Sequence, residues 1–203
     1  MIRAISQLLL LLFVFIFCFC TLPSNKYPSV SYLHKTVIFD RSMTEEDIAA
    51  TMRAIHSWEC STNGKAQFSI IKYPTEQNLA DITDIDRSVI VSNVSREDSR
   101  ITARDTSMAP GLYTVGLYLR STSEIPIIIL AKELIKPNTK EYELYIEHEL
   151  GHALGLGHIE NGMWPDIPIM DPNPSRSKGI TKDDIAYLSQ IYGIPFASMH
   201  ACQ

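Results

Sequence analysis

Three of the six histidines of this chain fall within eleven consecutive residues, HELGHALGLGH, which begin at His148. His148 and His152 are four residues apart, so on an α-helix they lie on one face, with about 5–6 Å between their Cβ atoms. Two imidazoles placed in this way can bind one cation through nitrogen, as zinc sites require. The spacing therefore predicts a helix through this segment and a zinc site on one of its faces.

The residues after His152 predict that the chain leaves the helix and returns to the same cation. Gly155 can adopt the left-handed conformation that ends a helix, and this turns the chain back so that His158 supplies a third nitrogen ligand. Three protein ligands leave a fourth position for water, as in catalytic zinc sites. Glu149 projects about 100° round the helix from His148, so we expect it to miss the metal but to reach that water.

This segment resembles the metzincin signature H-E-x-x-H-x-x-G-x-x-H at every fixed position, and its local sequence is most similar to that of the matrixins, the matrix metalloproteinase branch. The resemblance implies a zinc metalloendopeptidase, a hydrolase that holds one catalytic zinc ion through His148, His152 and His158. It implies that Glu149 is the general base, which takes a proton from the zinc-bound water. Gly155 occupies the glycine position of the signature.

The resemblance also implies a methionine turn, which lies under the imidazoles without binding the metal. Met170 is the candidate for this turn, although Met163 has a similar local sequence and is the alternative. In matrixins, one of two adjacent acids in the last helix supports the turn by hydrogen bonds, and Asp183 and Asp184 match that pair. Acids at this place could equally well complement the dipole of their own helix, so the sequence leaves both interpretations open.

Other metal sites of the matrixins are not expected here. No histidine lies between His56 and His148, so the sequence predicts no structural zinc site, and residues 21–40 lack the cysteine motif that keeps matrixins latent. Asp81, Asp84 and Asp86 would suit a calcium loop, but acids in a turn-rich stretch are more often simply solvated. Calcium is therefore a weakly supported alternative.

Hydrophobic patterns along the chain predict five strands and three helices in one domain. The predicted strands are residues 35–39, 68–73, 87–91, 111–119 and 126–130; the helices begin within residues 42–47, 138–141 and 181–184 and end near residues 60, 154 and 192. Residues 126–130 are apolar throughout, which indicates an interior strand, whereas residues 111–119 alternate and indicate an edge. The pattern predicts an α+β (mixed α/β) domain.

The resemblance implies a metzincin fold, with a twisted, mostly parallel five-stranded sheet, an antiparallel edge strand, and the zinc motif on the active-site helix.

The first 24 residues have the composition of a leader. Residues 8–20 are thirteen apolar residues after a basic start, which matches a secretory signal and is short for a membrane-spanning helix. We therefore predict a signal peptide or an N-terminal membrane anchor over residues 1–24 and a single catalytic domain over residues 25–203. After the leader only Cys60 and Cys202 remain, and they could form a disulfide bond in an exported protein.

Composition and charge restrict the partners. The chain has 203 residues, 18 Lys and Arg against 23 Asp and Glu, and a net charge of −5, so it lacks the basic surface that nucleic-acid binding requires. We expect a secreted or extracytoplasmic monomer that acts on protein or peptide substrates and contacts a membrane only through its N-terminal segment. The alternative is a catalytically silent zinc-binding metzincin fold that acts as a protein-interaction module.

Overall fold

A five-stranded sheet forms the centre of the domain. The structure is a computed structural model that describes residues 28–105, 114–120, 123–137, 139–159 and 166–195. Its strands are β1 (His34–Phe39), β2 (Gln67–Lys72), β3 (Ser88–Val94), β4 (Gly116–Leu119) and β5 (Ile127–Ala131). They lie in the order β2-β1-β3-β5-β4, and all neighbours are parallel except β4, which runs antiparallel to β5. The mixed α/β class and the antiparallel edge strand are thereby confirmed.

Three longer helices and two short ones accompany the sheet in the described residues. The longer helices are α1 (Glu45–Ser61), α4 (Lys140–Ala153) and α5 (Lys182–Tyr192), which are the three that the sequence predicts. The short helices α2 (Glu76–Ala80) and α3 (Ser99–Asp105) were not predicted. They have five and seven residues, too few for the helical periodicity to stand out from a loop.

The ends of the long helices are set by local side-chain hydrogen bonds. Thr44 begins α1 and Thr181 begins α5, each in a capping box with the aspartate three residues later. Thr139 begins α4, where its hydroxyl accepts a hydrogen bond from the N–H of Tyr142. Such caps satisfy N–H groups that the first turn of a helix leaves unpaired, so they fix where each helix begins.

The predicted edge strand is shorter in the structure than in the sequence pattern. β4 covers Gly116–Leu119 only. Val115, just before it, still accepts a hydrogen bond from the N–H of Ala131, and residues 111–113 fall outside the described residues. Its position at the sheet edge, beside the interior strand β5, agrees with the prediction.

Helix α4 is held against the sheet and against α1 by buried apolar side chains. Ile146, Leu150 and Trp58 are fully buried in the main core. The Trp58 indole N–H also donates a 2.8 Å hydrogen bond to the carbonyl oxygen of Glu147, so α1 and α4 are joined next to His148. One face of α4 is therefore fixed in the core, and the opposite face is directed towards β4.

Within the part of the chain that the structure describes, none of the helices combines the length and apolar character needed to cross a membrane. Residues 1–27, which include the predicted leader, lie outside the described residues.

Candidate metal centre and active site

About one turn of α4 separates His148 from His152, so the two side chains lie on the same face. The centres of their rings are 4.6 Å apart, and their Nε2 atoms are 3.1 Å apart. His148 is buried and His152 half-buried, so both rings are held by the surrounding protein. The predicted arrangement of the two imidazoles on one face of a helix is present.

The third histidine reaches the pair because α4 ends in a tight left-handed turn. Gly155 has φ +94°, and the N–H of Leu156 bonds to the carbonyl of Gly151 at 3.0 Å, which is the hydrogen bond of a Schellman motif. After this reversal the ring centre of His158 lies 5.2 Å from that of His148 and 4.9 Å from that of His152. One nitrogen from each of the three rings lies within 4.8 Å of the others.

Hydrogen bonds to backbone carbonyls fix the tautomers of two rings. His148 Nδ1 lies 2.8 Å from the carbonyl oxygen of Ile169, and His152 Nδ1 lies 2.8 Å from that of Leu156. Because a carbonyl oxygen can only accept a hydrogen bond, each Nδ1 carries the proton and donates it. Burial lowers the pKa of His148 to about 3 and also lowers the pKa of His152, so both imidazoles are neutral at pH 7. Each Nε2 therefore presents a lone pair to the space between the rings.

This donor set fits a zinc ion. The Nε2 atoms of His148 and His152 are only 3.1 Å apart, and their lone pairs repel each other unless a cation lies between them. Tetrahedral zinc with Zn–N bonds of about 2.0–2.1 Å would separate two ligand nitrogens by about 3.3 Å, close to the distance found. Metal-binding histidines also usually donate their second N–H to a carbonyl or carboxylate, as His148 and His152 do.

Met170 lies beside the helix turn that carries the histidines. Its side chain is fully buried and its sulfur occupies the space next to Gly151, where an alanine Cβ would come within 2.3 Å of it. The backbone around it is tied to the site, since Ile169 accepts the hydrogen bond of His148 and the carbonyl of Met170 accepts one from Ile159. The alternative, Met163, lies outside the described residues.

Of the two adjacent acids in α5, only one faces this turn. The carboxylate of Asp184 is fully buried and accepts hydrogen bonds from the N–H groups of Ile169 and Met170, at 3.0 and 3.1 Å, and it also caps its own helix through Thr181. Asp183 is exposed. Both interpretations of the sequence therefore apply to Asp184, because one carboxylate has enough acceptor capacity for the cap and for the turn.

Glu149 lies next to the histidines, between α4 and the edge strand. Its side chain is only 4% exposed, and this burial raises the pKa of its carboxyl to about 8. A hydrogen bond from the Tyr118 N–H has the smaller, opposite effect of lowering that pKa. A cation held by the neighbouring histidines would favour the ionised form. The Oε2 atom of Glu149 is buried and has no hydrogen-bond partner among the described residues.

A cleft of about 790 Å³ opens over the three histidines and Glu149. One wall is β4 and the residues before it, and the other is the segment that follows Met170. The lining side chains outside the predicted site include Tyr145 of α4, Thr114 and Tyr118 near the edge strand, and Asp171, Asn173 and Arg176 of the opposite wall. The exposed His158 borders the opening.

Sequence patterns did not predict these wall residues. Tyr145 hydrogen-bonds to Ser175, and Asp171 pairs with Arg176 at 3.7 Å, so the wall is built from contacts between α4 and a short 3-10 turn, Pro174–Arg176. No pattern in the sequence predicts that these residues are in contact, because the contact depends on the path that the chain takes after residue 165.

Two of the three aspartates proposed as a calcium site form ion pairs with arginine side chains of the protein itself. Asp84 forms an ion pair with Arg87, and Asp86 forms one with Arg120. Among the residues that the structure describes, only the histidine triad brings potential metal-binding atoms close together. Calcium at these aspartates stays a prediction with no structural support.

Cys60, at the end of α1, is disulfide-bonded. Its predicted partner, Cys202, lies outside the described residues.

Comparison with known proteins agrees with the geometry. The sequence profile of the family described as Matrixin matches residues 35–193 of this chain. The chain belongs to the matrixin family. Members of this family are zinc metallopeptidases, and the matched range contains the five strands except for His34, the histidine triad and helix α5.

Individual relatives are more distant. A stretch of 46 residues is 44% identical to matrilysin of Rattus norvegicus, and this stretch makes up 23% of the present chain but only 17% of matrilysin. Among solved structures, archaemetzincin from Methanopyrus kandleri is similar with a TM-score of 0.49 and 14% identity, over 82% of this chain and 98% of that one.

Proposed function

We propose that this matrixin is an exported zinc endopeptidase that hydrolyses peptide bonds with Glu149 as its general base. The observation that carries the proposal is the arrangement of two neutral imidazoles with facing Nε2 atoms, 3.1 Å apart, beside a buried carboxylate in an open cleft. His148, His152 and His158 would hold the metal.

A zinc ion held by the three histidines would supply an acidic water, with a pKa of about 7 in such sites, and a positive charge beside the substrate carbonyl. Glu149 would accept a proton from the attacking water on its carboxylate and would then donate it to the nitrogen of the departing amine. The buried surroundings suit this role, because a base whose pKa lies near the operating pH can both accept and return a proton. Met170 and Gly155 hold the imidazoles in place without taking part in proton transfer.

The substrate would bind as an extended strand beside β4. Among the described residues this strand lies at the edge of the sheet and lines the cleft. Apart from the Tyr118 N–H, which bonds to Glu149, its outward backbone groups could pair with a peptide. The wall after Met170 bounds the other side of the cleft. A protein or peptide substrate is therefore favoured over a compact small molecule.

Export is supported by two independent features. Residues 1–24 have the composition of a signal peptide or membrane anchor, and Cys60 is disulfide-bonded, a state that persists in oxidising compartments outside the cytoplasm. The N-terminal mass of the protein recovered from the medium and from the membrane fraction tests this. A chain that stays in the cytoplasm with Met1 intact would contradict export.

The decisive experiment compares Glu149→Gln, His152→Ala and Glu141→Gln in the full chain. Zinc content and turnover of gelatin or casein are measured for each. We expect Glu149→Gln to retain zinc and lose at least about 100-fold in turnover, His152→Ala to lose both, and Glu141→Gln, an exposed carboxylate of the same helix, to retain both. Undiminished turnover by Glu149→Gln would remove Glu149 from the role of base.

A catalytically silent zinc protein would give a different result. The wild-type chain would then bind one zinc ion but cleave nothing in a broad peptide library, and Glu149→Gln would be indistinguishable from it.

A further inference from the structure

The side chain of Glu149 occupies the space that a side chain at position 116 would fill. An alanine Cβ at Gly116 would lie 2.9 Å from Glu149 Oε1 and 3.4 Å from Glu149 Cγ. This distance is too short for a non-bonded carbon and oxygen, so either the new Cβ or the Glu149 carboxylate would have to move. The third neighbour is Leu130 Cδ2 at 3.1 Å, so a contact with this buried side chain is the alternative that the test must separate.

The backbone conformation of Gly116 does not itself require glycine. Four glycines of the described residues have positive φ, and Gly116 is not among them. Glycine in a strand normally lowers stability relative to alanine, and it often marks a place where another group approaches closely. The approaching group here is the Glu149 carboxylate.

The pairing of β4 explains why this carboxylate meets the strand at its open side. The N–H of Ala131 bonds to the carbonyl of Val115 at 2.9 Å, so in the antiparallel ladder residues 115, 117 and 119 bond to β5. The backbone groups of Gly116 and Tyr118 consequently point to the free edge. The Tyr118 N–H donates to the Glu149 carboxylate there.

We propose that Gly116 is a positioning residue, which sets the place of the Glu149 carboxylate by leaving its own side-chain space empty. The carboxylate then lies in a notch formed by the Gly116 Cα and the Tyr118 N–H, next to the histidine triad. A methyl group at position 116 pushes the carboxylate out of this notch while leaving the histidines in place. The expected effect on catalysis rests on the proposed function, whereas the contact between position 116 and the Glu149 side chain does not.

The packing is tested by a double-mutant cycle of Gly116→Ala and Glu149→Ala, read by denaturant unfolding of the zinc-free full chain. We expect Gly116→Ala to lower the unfolding midpoint when Glu149 is present and to leave it unchanged or raised when residue 149 is alanine. If Gly116→Ala alone does not fold, folding of the double variant supports the proposal. Equal losses in both backgrounds, or failure of both chains to fold, would overturn it, because the clash would then be with Leu130 or the strand.

The catalytic consequence is tested on the zinc-loaded protein. Gly116→Ala is expected to lower kcat by about 10- to 100-fold, as a displacement near 1 Å of a reacting group does, with KM within about twofold of wild type. Zinc affinity should change less than about tenfold, since the ligands and their hydrogen-bond partners are untouched. An unchanged kcat would overturn the positioning role. Loss of the proposed function itself would look different: the wild type would be inactive while the unfolding cycle still showed coupling.

Discussion

Asp184 accepts a 3.1 Å hydrogen bond from the backbone N–H of Met170, across fourteen residues of sequence. The same carboxylate bonds to the N–H of Ile169, whose carbonyl in turn accepts the hydrogen bond of His148. The orientation of one imidazole of the triad is therefore connected, through a single residue of backbone, to a buried acid in the last helix.

Replacement of this acid is expected to destabilise the protein. Asp184→Asn places an amide N–H₂ group against backbone donors, so at least one buried N–H loses its acceptor, and we expect a loss of about 1–3 kcal/mol in the free energy of unfolding. Asp183→Asn, at the exposed neighbour, should change it by less than about 0.5 kcal/mol. Denaturant unfolding of the two variants in parallel checks this, and equal effects would contradict the assignment of Asp184.

Gly151 is expected to be intolerant of a side chain. An alanine Cβ there would meet the Met170 sulfur at 2.3 Å and the Trp58 ring at 3.1 Å, so overpacking should cost about 1–3 kcal/mol despite the better helix propensity of alanine. Gly157→Ala is the control, because its Cβ would meet only the Tyr187 hydroxyl at 3.5 Å.

A second variant identifies the clash at Gly151. If the Met170 sulfur is responsible, Gly151→Ala should cost less in a Met170→Ala background than in the wild type. Thermal or denaturant unfolding of the four chains gives this comparison, and strictly additive losses would contradict the contact.

Zinc is expected to stabilise the folded chain through the triad. At free zinc about a hundredfold above its Kd, binding to the folded state alone adds about 2.7 kcal/mol to the free energy of unfolding. His158→Ala should lose most of this increment, whereas His56→Ala, an exposed histidine of α1, should retain it. Unfolding in zinc buffer and in chelator measures the increment. A full increment in His158→Ala would exclude that residue as a ligand.

Lys35 should make stability depend on alkaline pH. Burial, followed by repulsion from Arg120, lowers the pKa of Lys35 in the folded state from 10.5 to about 8. Between pH 8 and 10.5 the unfolded chain therefore binds more protons, so the contribution of Lys35 to stability rises with pH in that window and is constant below it. The full change is about 3 kcal/mol.

The variant Lys35→Met isolates this contribution. Unfolding in chelator at several pH values from 7.5 to 10.5 should show wild type gaining stability relative to Lys35→Met. Parallel curves for Lys35→Met would show that Lys35 does not titrate differently on folding.

Local periodicity accounts for what could be predicted in advance. The four-residue spacing of His148 and His152 and the glycine that follows them determine which side chains share a helix face and where that helix ends. The uniform apolar run of β5 and the alternation before it similarly separated an interior strand from an edge. These are properties of neighbouring residues, and a regular helix or strand converts sequence spacing directly into geometry.

Tertiary structure decided the rest, because it depends on which distant segments meet. The sequence could not choose between Asp183 and Asp184, since both suit the start of a helix and only the approach of the Met170 segment distinguishes them. It gave no signal that Gly116 faces Glu149 or that Tyr145 meets Ser175. A residue's neighbours across elements follow from the packing of the whole chain, so the convergence of the three histidines could be predicted from sequence alone, whereas the residues that position and enclose them could not.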